Sequence, residues 1–196
     1  AFFVFTSIVC LWLALERSSW RWILLAGLCL AGSFLTKAIT GYAFYGTAFV
    51  VMFAKHPNRR FLLSFPSILL HLATLGFPFI WSFFISQGAH GSAMVGDVLT
   101  KFSTENFLEY FFQTLLYPLE TLGRFLPLSI IVLYYWFKKG SFEKQESLQK
   151  NREQFVIPVL LWIVVLNYIP YWLSPQNRIR YLLPLYPLIS LLFAYA

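Results

Sequence analysis

The sequence predicts an all-α fold, a polytopic transmembrane helical bundle, and three observations carry that prediction. Hydrophobic residues make up 59% of the 196, aromatics 20% and charged residues only 12%, more apolar surface than a soluble domain of this size can bury. The apolar residues fall in runs that reach or approach the roughly 20 residues a helix needs to cross a hydrocarbon core. Short polar turns, which hold most of the charge, separate these runs. The expected architecture is about seven spans, the first and last truncated. They form one domain over residues 1–196, with an external loop and interfacial helix at 87–124 and a cytoplasmic loop at 138–154.

Taken in order, residues 1–15 form the tail of a first span, and Glu16 to Arg21 a tight polar turn containing Trp20. Residues 22–36 form a second span, short for the core but extended by Arg21 and Lys37, whose stems can snorkel. Gly27 and Gly32 on this run allow close helix approach. Residues 42–54 return the chain to a basic turn with Lys55, His56, Arg59 and Arg60. Residues 61–86 contain Pro66, His71, Gly76 and Pro78 but no Asp, Glu, Lys or Arg, and the prolines predict a kinked span. Residues 87–105 are polar and Gly-rich, with Ser103 or Thr104 as helix caps. Residues 106–119 mix Phe and Leu with Glu109, Gln113 and Thr114, as in a helix lying in the interface. Further spans follow at 125–137, 155–173 and from Tyr181 onward. The chain starts and stops inside apolar runs, so the expectation is a piece of a longer protein.

Charge sets the orientation. Lys55, Arg59 and Arg60 mark one cytoplasmic turn, and Lys138, Lys139, Lys144, Lys150 and Arg152 another. One span out and one span back lie between them, so the two assignments agree. Counting outward from them, Lys37, residues 87–124 and the loop with Arg178 and Arg180 face outside. The expected location is a plasma (inner) membrane, multi-pass, with the active face external or periplasmic. The net charge of +7 then belongs to loops against anionic lipid, and no nucleic-acid partner is expected.

Arg178 and Arg180 hold fixed positive charge on the face where Lys and Arg are scarce. They are two apart, so in an extended loop they point the same way. With Lys37 they make three external cations suited to a lipid phosphate, Lys as a point charge and Arg as a bidentate fork. Helix-end snorkelling and headgroup anchoring are the plain alternatives. Tyr181 and Tyr186 read as belt aromatics, and Pro184 and Pro187 as residues that bend or break the start of the last span. His56, His71 and His90 are too scattered for a metal site, and His71 reads as a hydrogen-bonded packing residue. Cys10 and Cys29 lie in apolar runs and form no disulfide framework. Asp97 and Glu105 read as loop acids. No cofactor motif occurs, and no cofactor is expected.

Two stretches resemble a known family. Gly27-Leu28-Cys29-Leu30-Ala31-Gly32-Ser33-Phe34-Leu35-Thr36-Lys37 is similar to the Gly-rich stretch ending Leu-Thr-Lys-Gly-Pro in the GT-C membrane glycosyltransferases. The branch is that of the dolichyl-phosphate-mannose protein mannosyltransferase-like enzymes and the aminoarabinose lipid A transferase. Arg180-Tyr181-Leu182-Leu183-Pro184-Leu185-Tyr186-Pro187 resembles the start of one of their late spans. Ala38 and Ile39 stand where the family often has Gly-Pro. The resemblance implies a glycosyltransferase that moves a sugar from a polyprenyl-phosphate donor to a lipid, glycan or protein acceptor. It implies donor-phosphate contacts from Lys37, Arg178, Arg180 and Tyr181. The family's catalytic acid belongs to an earlier external loop, so the catalytic residue of this chain stays unknown. A transporter or flippase of an anionic lipid or lipid-linked sugar is the alternative, and a membrane scaffold a third.

The charge reading has a direct check. With Cys10 and Cys29 replaced, thiols introduced by Asn58→Cys and Ser147→Cys should be shielded from impermeant reagents in intact cells. One introduced by Gly91→Cys should label. Labelling at position 147 but not 91 would invert the orientation.

Overall fold

The computed structural model describes residues 1–37, 40–85, 107–126, 130, 134, 147–174 and 179–195. The α-helices described are α1 (Phe2–Arg17), α2 (Trp20–Lys37), α3 (Thr40–Lys55), α4 (Phe65–Ile85), α5 (Phe107–Arg124), α6 (Ser147–Trp172) and α7 (Tyr186–Tyr195). Two 3₁₀ segments, Arg59–Leu63 and Ile179–Leu185, join them. No strand occurs among the described residues, so the chain is all-α there. In α6, the 18 residues Phe155–Trp172 are long and apolar enough to cross a membrane. Shorter apolar helical stretches run over Trp20–Thr36, Phe65–Trp81 and Leu182–Leu192. The chain divides into two compact units, Ala1–Thr100 and Lys101–Ala196.

In the first unit α1 packs on α2 and α3, and α2 also packs on α3 and α4. The buried residues recur at helical spacing: Ile8, Leu11 and Leu15 on α1; Ile23, Ala26 and Leu30 on α2; Phe44, Ala48, Val51 and Met52 on α3. Two glycines set the interhelical distance. A Cβ on Gly27 would strike the Thr74 hydroxyl of α4, and one on Gly41 would strike Ser33 Oγ of α2 and come within 3.3 Å of Val4 on α1. Gly27 therefore acts as the sequence predicts, whereas a Cβ on Gly32 would only touch the Phe3 ring at 3.4 Å.

Polar side chains inside the helices bond one turn back along their own helix. Ser7 donates to Val4 O (2.7 Å), Thr36 to Ser33 O (2.9 Å), Thr47 to Ala43 O (3.0 Å) and Thr74 to Leu70 O (2.8 Å). In the second unit Thr121 reaches Tyr117 O (2.8 Å) and buried Asn167 reaches Ile163 O (2.9 Å). Such back-bonding satisfies a hydroxyl or amide where no water competes for it. On α4, Phe65, Leu72, Phe79, Phe83 and Phe84 are all exposed. Pro78 stays within that helix. Pro66, expected to kink it, instead stands in its first turn, where a missing N–H costs nothing.

One end of the first unit is tied by a polar knot. Ser18 closes α1 in the left-handed region (φ 49°), which costs a residue other than glycine roughly 1 kcal/mol. Asn58 Nδ2 holds the turn by donating to Leu15 O (2.8 Å) and Ser18 Oγ (2.6 Å). The Asn58 backbone N–H donates to His56 Nδ1 (3.1 Å), so the proton of neutral His56 sits on Nε2, 3.7 Å from Glu16 Oε1. The His56 ring also meets Trp12 edge-on at 5.3 Å, and Arg17 lies over the Trp22 ring at 5.4 Å. Burial pulls His56 below the ordinary histidine range; Glu16 pushes the other way, and burial prevails.

Asn58→Ala should cost about 1–3 kcal/mol, since it removes two hydrogen bonds that fix a left-handed turn. Thermal unfolding in detergent micelles measures it, and a change within error would show that the turn holds itself. Because His56 resists protonation when folded, the unfolded chain binds its proton first as pH falls through 6.5. Stability should therefore be full above that pH and decline below it. His56→Gln should flatten this part of the profile.

Candidate functional site

In the second unit α6 is the spine. It begins at Ser147, so the later part of the polar stretch 138–154 is already helical before the apolar run starts. The helix α5 runs to Arg124, five residues past its expected end at 119. It is hung on α6 by groups recurring every three or four residues. Tyr110 donates to Leu173 O (3.0 Å), and Trp172 Nε1 donates to Thr114 O (2.7 Å). The Thr121 hydroxyl, its proton committed to Tyr117 O, accepts from Tyr168 (3.2 Å). The rings of Tyr117 and Tyr168 lie 5.7 Å apart, and those of Tyr168 and Trp172 6.2 Å. Between Tyr110 and Thr121 α5 advances about 16 Å, while the partners advance only about 7.5 Å along α6. The two helices therefore run antiparallel and cross obliquely. Sequence reasoning missed this seam, although Tyr110, Thr114, Tyr117 and Thr121 stand at the spacing of one helix face.

Beyond α6 the chain turns into the 3₁₀ segment Ile179–Leu185, then α7. Leu182, Leu185 and Leu188 are buried at successive intervals of three, the repeat of a three-per-turn helix. Pro184, also buried, has a fixed φ that suits this turn, and Pro187 falls at the start of α7. Pro184 thus stands in the irregular start of this apolar stretch, as expected, whereas Pro187, like Pro66, sits in the first turn of a helix and breaks nothing. The extended backbone assumed around Arg180 is not found: from Ile179 onward the chain is helical, and Leu182 and Leu185 are buried in that form. Phe125, just after α5, packs edge-on against Tyr186 at 4.8 Å. The exposed pair Arg124 and Glu120 (3.2 Å) lies beside the Tyr186 ring.

Of the residues singled out in the sequence, Arg180 and Tyr181 have their backbones in this 3₁₀ segment and their side chains outside the described part. Lys37 is the last residue of α2, in the other unit, and its side chain too lies outside it. Arg178, His90, Asp97, Lys101 and Glu105 lie outside the described residues, as does most of the expected span 125–137.

His71 proves to be a packing residue with both nitrogens in use. Its Nδ1–H donates to Ser67 O (2.8 Å), which leaves Nε2 to accept from Tyr45 (3.1 Å), and Phe49 packs on the ring at 5.0 Å. Tyr42 binds α4 in parallel through Thr74 O (3.0 Å). Cys10 and Cys29 are free thiols. Among the described residues no group of three His, Cys, Asp or Glu gathers as for a metal ion.

Trp172→Phe and Tyr110→Phe should each loosen α5 by about 1 kcal/mol, or roughly fivefold in its opening equilibrium. Hydrogen exchange of the α5 amides, compared with those of α1, reads this directly. Equal exchange in wild type and variants would show that the aromatic contacts alone hold the helix. Comparison with family models, curated proteins and solved structures finds no match for this chain.

Proposed function

We propose that this chain is part of a multi-pass membrane glycosyltransferase of the GT-C kind, using a polyprenyl-phosphate-linked sugar at the external face of a plasma or inner membrane. One observation carries the reading: Arg180 and Tyr181 belong to a 3₁₀ segment, pinned by buried Leu182 and Leu185, immediately before an apolar helix. Irregular backbone beside an apolar run is favoured where it borders a cavity rather than lipid. Leu183, between the two buried leucines, is exposed, so this segment buries one side and leaves another open. The resemblance of this segment, and of the stretch ending at Lys37, to one family in the same chain order adds to that support.

In this reading the donor's tail lies in the bilayer and its phosphate at the interface. An acceptor hydroxyl, its proton taken by a carboxylate from elsewhere in the protein, attacks the anomeric carbon, and the bond to the phosphate oxygen breaks. Negative charge grows on the departing phosphate. Arg178, Arg180 and Lys37 stabilise that charge more in the transition state than in the ground state, which is what raises turnover. Tyr181 borders the same group.

In the full-length protein, Arg180→Ala should lower transfer by roughly one to two powers of ten per folded molecule, the cost of a charge-assisted contact of about 1.5–3 kcal/mol. Lys37→Ala should act alike, and Arg180→Lys should not restore bidentate contact. Specific activity with a polyprenyl-phosphate sugar is the measurement. Near-normal turnover in all three variants would leave only headgroup anchoring.

A further inference from the structure

The helix α5 is amphipathic the wrong way round for water. Leu108, Phe111, Phe112, Leu115, Leu116 and Leu119 form one stripe at helical spacing, and each is between 55% and 73% exposed. The opposite side, with Tyr110, Thr114, Tyr117 and Thr121, is the one fastened to α6. The charged pair Glu120 and Arg124 stands off the stripe.

We infer that α5 is an in-plane lipid anchor, its Leu/Phe stripe seated among the acyl chains of the leaflet around the C-terminal end of α6. Three features choose lipid over protein as the occupant. The stripe is continuous in character with the exposed apolar face of α6 at Leu161, Trp162, Leu166 and Ile169, the helix long enough to span. Its six residues are all Leu or Phe, whereas close helix–helix contact in an apolar medium uses small residues, as Gly27 and Gly41 do in the first unit. The oblique crossing on α6 also lets α5 lie shallow, with Tyr110 and Trp172 at the end where interfacial aromatics belong. The inference rests on α6 crossing a bilayer and not on sugar transfer.

The test uses the full chain, with Cys10→Ala and Cys29→Ala, reconstituted in phosphatidylcholine vesicles. Single nitroxide labels are attached through Leu115→Cys, Leu119→Cys, Glu120→Cys and, as a reference on α6, Leu161→Cys. Collisions with oxygen, which concentrates in hydrocarbon, are compared with those of a water-soluble nickel chelate. The oxygen-to-nickel ratio should be several-fold higher at 115 and 119 than at 120, and similar to that at 161. Ready access of nickel to 115 and 119 would place the stripe in water and overturn the inference. Exclusion of both reagents would overturn it too, by showing a protein surface there, whether a second copy or another segment of a longer chain. Lipid at 161 with water at 115 rejects the anchor alone, whereas water at 161 rejects the membrane reading with it.

Discussion

In the membrane reading, keeping backbone and side-chain polar groups satisfied without water is the constraint on which the rest of this structure depends. The chain has too few polar residues to build a wet surface, and its helices turn Phe and Leu outward on α4 and α5. A helix answers the constraint for the backbone by bonding every amide within one segment. Ser7, Thr36, Thr47, Thr74, Thr121 and Asn167 answer it for side chains by bonding a carbonyl one turn back. His71 does the same through Nδ1 before its other nitrogen takes the Tyr45 hydroxyl.

The same constraint sends interhelical polar bonds to a few places. Tyr42 and Tyr45 fasten α3 to α4, and Tyr110, Trp172 and Tyr168 fasten α5 to α6. In each case a long aromatic side chain carries its polar tip across the gap while its ring contributes to packing. Where helices must come closer, glycine replaces the side chain altogether, as at Gly27 and Gly41.

Much of the helical layout was legible in the sequence, because apolar runs bounded by Arg17, Lys37 and Lys55 leave few choices for where a helix stops. The break at Pro184 and the packing role of His71 were legible for the same reason: each has one dominant physical consequence. What escaped depends on partners distant in the chain. Nothing local to Asn58 says that it will clasp the turn at Ser18, 40 residues earlier. The Tyr110–Thr121 seam carries a spacing signal, but the stronger stripe of Leu and Phe on the same helix masks it. Pro66 misled because the sequence does not say whether a proline stands in the first turn of a helix or in its middle. The 3₁₀ form around Arg180 escaped since it goes with the burial of Leu182 and Leu185, not with the arginines that drew attention to the loop. The three cations themselves were legible only as a charge pattern and a resemblance.

Back-bonded polar side chains have a consequence for biogenesis. A helix whose Ser, Thr and Asn groups close their bonds within one turn does not need its neighbours in order to tolerate an apolar medium. In the membrane reading, α1, with Ser7 bound to Val4 O, and α6, with Asn167 bound to Ile163 O, can leave an insertion channel singly. Assembly then becomes a second, slower step, governed by glycine contacts and by tyrosines finding carbonyls on their partners. A substitution such as Thr74→Asn, whose longer side chain can reach across to another helix, would load the first step with a demand that only the second can meet.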